Sequence, residues 1–111
     1  MTDTELIKAV ADRQGWTNIY TTDLPGNNIQ WRGTPPEAKR VDIELPPWLT
    51  SVDAALGVLD TLGMEYRMGV LKNGSCWCEV YRKGVNYLWQ DEPSLPRAIL
   101  LAFLELPKEK P

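Results

Sequence analysis

Residues 71–85 read LKNGSCWCEVYRKGV, and this stretch decides the fold. Asn-Gly between two alternating segments is among the strongest short-range hairpin signals, and Arg82-Lys83-Gly84 offers a second turn a strand's length later. Residues 65–71, 76–82 and 85–89 are therefore predicted to form a three-stranded antiparallel meander. Along strand 76–82 successive side chains alternate, so Cys76 and Cys78 share one face while Trp77 and Glu79 share the other. Two residues apart on a strand, the cysteine α-carbons stand roughly 6.6–7 Å apart, at or beyond the upper edge for a disulfide. A structural zinc site usually needs four cysteine or histidine ligands, and this chain has two cysteines and no histidine. Only a second chain or carboxylates would complete one. The expectation is two small interior thiols, with an intersubunit metal or redox role as the alternative.

Before the meander, Thr50-Ser51-Val52-Asp53 supplies a hydroxyl cap and a first-turn acid. Val52, Ala55, Leu56, Leu59 and Leu62 then recur at helical spacing, and Gly63 sits where a helix would stop. This predicts a helix over 51–62. After the meander, Glu92-Pro93-Ser94-Leu95-Pro96-Arg97 opens a third helix, where proline is tolerated in the first turn. Its Leu95, Ala98, Ile99, Ala102, Phe103 and Leu106 cover a wide arc. At the other end, Thr2-Asp3-Thr4-Glu5 reads as a capping box, followed by Leu6, Ile7, Val10 and Ala11 on one stripe, for a helix over 3–14.

Between the first two helices the pattern changes period. Residues 17–22 are rich in β-branched and aromatic types, Pro25-Gly26 suits a type II turn, and residues 29–32 return as a strand. Residues 39–44 alternate again, with Val41, Ile43 and Leu45 on one face, until Pro46-Pro47 ends the run. The predicted fold is α+β: a mainly antiparallel sheet of five to six strands with three helices, in a layered α-β-α sandwich. At 111 residues one domain over 1–106 is expected, with 107–111 a short solvated tail.

The totals restrict function more than they assign it. Hydrophobic residues at 43% and charged ones at 24% are typical of a folded globule. A net charge of −3 with scattered basic residues lacks the concentrated positive face of nucleic-acid binders. The acidic start is not expected to act as a secretory signal. The longest apolar run, 98–104, is too short for the roughly 20 residues that cross a bilayer, so a soluble protein of the cytoplasm is expected. The lack of histidine removes Ser-His and Cys-His nucleophile pairs.

Candidate site residues are therefore aromatic. Flat rings can stack on a nucleotide-like ligand, anchor a protein interface or fill the core. Trp31, Arg32 and Trp48, beside proline-rich breaks, are expected to be partly exposed, and together with Trp89 they are the candidate ligand- or partner-binding set. Asp42 and Glu44, on one strand face, and Asp91-Glu92, before the last helix, are the carboxylates open to a catalytic reading. No glycine-rich phosphate loop or nucleophile motif accompanies them. They are read as solvent-facing sheet residues and helix-entry acids. No enzyme activity, cofactor or metal is expected.

Three segments, MTDTELIKAVADRQGW, LPPWLTSVDAALGVLDTLG and the run from CWCEVYRKG to PSLPRAILLAFLEL, together resemble the phage ABA sandwich domain family of small bacteriophage proteins. The resemblance spans nearly the whole chain and is weakest over 17–44. It implies a helix-sheet-helix sandwich in a phage or prophage protein and carries no site residues. The function expected on that basis is non-enzymatic binding of a host protein, for host modulation or counter-defence in the host bacterial cytoplasm. The alternative is sequestration of a small nucleotide-like ligand by aromatic stacking. An exposed meander edge or flat aromatic face also makes a homodimer a candidate assembly.

Overall fold

The computed structural model describes residues 1–26, 28–38, 40–60, 62–82 and 84–106. Among these, three helices and six strands follow in the order α1 (Asp3–Arg13), β1 (Thr17–Leu24), β2 (Asn28–Thr34), β3 (Ile43–Glu44), α2 (Val52–Asp60), β4 (Glu65–Val70), β5 (Cys76–Arg82), β6 (Val85–Glu92) and α3 (Leu95–Glu105). The α+β class is as expected, and every strand pairing is antiparallel. The strands do not form one sheet, however. They form two three-stranded sheets, β1-β2-β3 and β4-β5-β6, and the chain divides into two compact units, Met1–Pro46 and Pro47–Pro111. The boundary falls between the two prolines, neither of which can donate to a ladder.

In the first unit the predicted capping box is present. The Thr2 hydroxyl accepts from the Glu5 amide at 3.1 Å, and the Glu5 carboxylate accepts from the Thr2 amide at 3.2 Å. Leu6, Val10 and Ala11 are the buried stripe of α1. Gly26 takes the positive φ, 83°, that the third position of a type II turn demands. The third strand departs from expectation. Of the predicted run 39–44, Lys39 lies outside the described residues, Arg40 adopts φ 72°, and only Ile43–Glu44 pair with β2. Left-handed backbone at Arg40 breaks the extended path that a strand requires. Of the expected apolar face, Val41 and Ile43 are exposed and only Leu45 is buried.

The second unit is built from the inside out. α3 is buried at Pro96 and at every position from Ala98 to Phe103, and it packs on α2 and on all three strands of its sheet. Its start is fixed by Ser94, whose hydroxyl accepts from the Arg97 amide at 3.3 Å, with Pro96 in the first turn as predicted. Full burial of each large apolar side chain here stabilises by about 1.5–3 kcal/mol. α2 is capped by Ser51, which accepts from the Ala54 amide at 3.2 Å. It is shorter than the predicted 51–62: Thr61 lies outside the described residues, and Leu62 is exposed in the turn where Gly63 takes φ 64°. Its buried residues are Ala55, Val58 and Leu59. The tail 107–111 also lies outside the described residues.

Strand β5 is the centre of the second sheet, and its burial alternates as the sequence pattern requires. Cys76, Cys78 and Val80 are buried, and Trp77, Glu79 and Tyr81 are half-buried. Both cysteines are free and sit on the side that packs under α3, as interior thiols. No described helix is long and apolar enough to cross a membrane.

Candidate functional site

The face of the second sheet turned away from α3 is set by register. Glu65 pairs with Tyr81, Arg67 with Glu79 and Gly69 with Trp77 on one side of β5, while Leu88 pairs with Glu79 and Asn86 with Tyr81 on the other. Because cross-strand partners project to the same face, these residues form one surface. Arg67, Glu79 and Leu88 form its middle row, and Trp77 lies at one end of it. A Cβ built on Gly69 would meet the Trp77 Nε1 at 2.8 Å, so the indole lies directly over the glycine backbone.

Beside the indole, Arg67 and Tyr81 order each other. The Arg67 Nε donates to the Tyr81 hydroxyl oxygen at 2.9 Å, and Nη2 donates both to that oxygen and to Glu79 Oε1, the latter at 3.4 Å. The Tyr81 hydroxyl donates in turn to Glu79 Oε1. The guanidinium carbon also stands 5.3 Å from the Tyr81 ring centroid, within cation–π range. These contacts raise the Arg67 pKa above its ordinary value, chiefly through the bond to Tyr81. The Arg67 side chain nevertheless remains 70% exposed and Leu88 51% exposed. An open cleft of about 370 Å³, lined by Met64, Glu65, Tyr81 and Arg82 among others, adjoins this face at the start of β4. The surface presents flat aromatic area, an apolar side chain and a positive group, the last ordered by Tyr81 and Glu79 before anything binds.

The residues singled out from the sequence are placed differently. Trp31 and Arg32 are consecutive on β2, so they project to opposite faces and do not act together. Arg32 is committed to Asp42, with Nε donating to Oδ1 at 2.6 Å and Nη2 to the backbone carbonyl at 3.0 Å. The Tyr20 hydroxyl donates to Asp42 Oδ2. Those two donors hold the Asp42 carboxyl below its ordinary range, Tyr20 foremost. Glu44, the other strand carboxylate, is exposed.

Trp48 and Trp89 belong to the second unit. Trp48, expected to be partly exposed, is only 3% exposed: its proline neighbours mark a chain break and say nothing of what packs over the ring. Trp89 is half-buried, and its Nε1 donates to Glu92 Oε2 at 2.8 Å. Arg97 Nε donates to Glu92 Oε1 at 2.9 Å, with both charged side chains 16% exposed. Glu92 therefore ties β6 to α3 as a shared acceptor and is more than a helix-entry acid. Asp91, beside it, is exposed at φ 63°.

Sequence reasoning missed Arg67, Gly69, Tyr81 and Leu88 as a set with Trp77. The signal was available in the turn. The turn at Asn73-Gly74 fixes Val70 opposite Cys76, and counting back along the strands places Gly69 opposite Trp77.

Among the described residues no group of three or more Cys, Asp or Glu side chains is placed to hold a metal ion. No family model, curated protein or solved structure matches the chain.

Proposed function

We propose that this chain is a non-enzymatic accessory protein of a phage or prophage that works in the bacterial cytoplasm by binding a host protein through the Trp77 face of its second sheet. The phage assignment rests on the likeness of the three sequence segments quoted above. The binding role is carried by a single observation: Arg67, Tyr81 and Glu79 are locked together on the sheet face that also carries the Trp77 indole. Tryptophan, tyrosine and arginine are the types that dominate interface hot spots, and residues already ordered lose little rotamer freedom on binding. Leu88 adds exposed apolar area next to them.

The test is affinity capture from lysates of several bacterial hosts, using the intact chain and its Trp77→Ala variant. The intact chain is expected to recover one protein in stoichiometric amount, and the variant to bind it roughly 30-fold more weakly. Recovery of nothing from any host, or equal recovery by the variant, overturns the reading. Nucleotide pools are expected to leave the tryptophan emission unchanged. Quenching would replace host-protein binding with ligand stacking.

A further inference from the structure

Four strands lie at sheet edges: β1 and β3 in the first sheet, β4 and β6 in the second. Exposed edges invite pairing with another chain unless they are short, bulged or otherwise spoiled. β3 has two residues. The β1 pairing shifts register between Thr17 and Tyr20, with Asn18 at φ 53°. The β6 pairing shifts between Cys76 and Cys78, close to Asp91 at φ 63°. Only β4 among the described edges is both regular and long, keeping unbroken register with β5 from Glu65 to Val70.

The direction of its free backbone groups follows from the turn. The Leu71 amide donates to the Ser75 carbonyl at 2.8 Å, so this is a hydrogen-bonded pair. In an antiparallel ladder bonded and non-bonded pairs alternate, so Gly69, Arg67 and Glu65 also bond to β5. The N–H and C=O groups of Met68 and Tyr66 consequently point away from it, along the open edge.

We propose that β4 pairs antiparallel with β4 of a second copy, about a two-fold axis at Tyr66, joining the two β4-β5-β6 sheets into one. The register is selected by charge. Centring on Tyr66 sets Glu65 opposite Arg67 of the second copy, and by symmetry Arg67 opposite Glu65. It also joins outward-facing backbone at Tyr66 with outward-facing backbone, as the ladder requires. Centring on Arg67 or on Glu65 would put like charges face to face, which destabilises a pair. Centring on Met68 brings no opposite charges together. Arg67 has a donor to give: Nε and Nη2 are engaged with Tyr81 and Glu79, and Nη1 has no partner among the described residues. Arg67 belongs to both this edge and the Trp77 face, but the Trp77 indole lies off the edge, so Trp77→Ala reads host-protein capture while Glu65→Arg and Arg67→Glu are read by dimerisation.

Sedimentation velocity over a micromolar to millimolar range tests the pairing with the full chain, Glu65→Arg, Arg67→Glu and the double exchange E65R/R67E. The intact chain is expected to dimerise. Each single variant should raise the dimer dissociation constant by roughly tenfold or more. The double exchange should return it to within about threefold of the intact chain. The double variant still lacks the Arg67–Tyr81 bond inside each copy, so its recovery would come from the pairs between copies alone. It also keeps the test decisive where a single variant folds poorly. A chain that stays monomeric throughout, single variants that dimerise as before, or a double variant as weak as the singles would each overturn the proposal.

Discussion

The β1-β2-β3 and β4-β5-β6 sheets have the same number of strands and the same antiparallel pairing, but side-chain burial along them is quite different. The edge strands β1, β3, β4 and β6 alike contain no buried residue, and the central strand β2 contains only Gly33. β5 alternates buried and half-buried positions along most of its length. The difference lies in what covers each sheet within its own unit. α3 lies across β4, β5 and β6 and is apolar nearly all the way round, whereas α1 packs against β1 and buries only Leu6, Val10 and Ala11. Hydrogen-bonded ladders hold strands in register, and the net gain per bond is only about 1 kcal/mol. A sealed apolar face is what adds stability in quantity.

The largest expected effect sets the same substitution in both units. Ile99→Ala, at a fully buried position of α3, should cost about 2–5 kcal/mol. Ile29→Ala, 63% exposed on β2, should change stability by no more than about 0.5 kcal/mol. Urea midpoints of the two variants measure the contrast, and comparable losses would break it.

A smaller effect probes the open face of the sealed sheet. Gly69→Ala inserts a methyl where the Trp77 indole lies, and overpacking of this kind typically costs about 1–3 kcal/mol. The expected signature is a red shift of tryptophan emission together with a lower urea midpoint, because the ring must swing toward solvent. An unchanged spectrum would mean that the strands part instead and the indole stays put.

The smallest concerns the first sheet, where ties are polar. Tyr20 and Arg32 lower the pKa of Asp42 from its ordinary 3.8 in the folded chain. The unfolded chain therefore takes up that proton first as pH falls. The stabilisation is present above about pH 4 and disappears as pH drops through the lowered folded value. Tyr20 and Asp42 are exposed and Arg32 is half-buried, so solvent screening keeps the effect small. Melting midpoints of the intact chain and of Asp42→Asn should differ slightly at neutral pH and converge in acid. A gap that widens in acid would reverse the assigned sign.

Much of the second unit was legible in the sequence because its signals are local. Asn73-Gly74 sets a turn, Ser51 and Ser94 set helix starts, and the thiols of Cys76 and Cys78 fall on the apolar side by alternation alone. What was not legible depends on residues distant in the chain. Val41 and Ile43 alternate as well as any strand, but nothing local reveals that Arg40 turns left-handed before them. Trp48 looked accessible beside its prolines, yet its burial is decided by tertiary packing. The division of six strands into two sheets is likewise a matter of which strands find each other, and alternation does not encode it. The Trp77 face lay between these extremes, legible only once strand register was counted out from the turn.

Burial pushes the Cys78 thiol up to about 11, and no part of that residue meets solvent. At neutral pH the sulfur is thus both protonated and shielded, which makes it inert toward alkylating reagents while α3 stays seated. Labelling at Cys78 itself counts the moments when the helix lifts, so the protein carries its own clock for the breathing of its core.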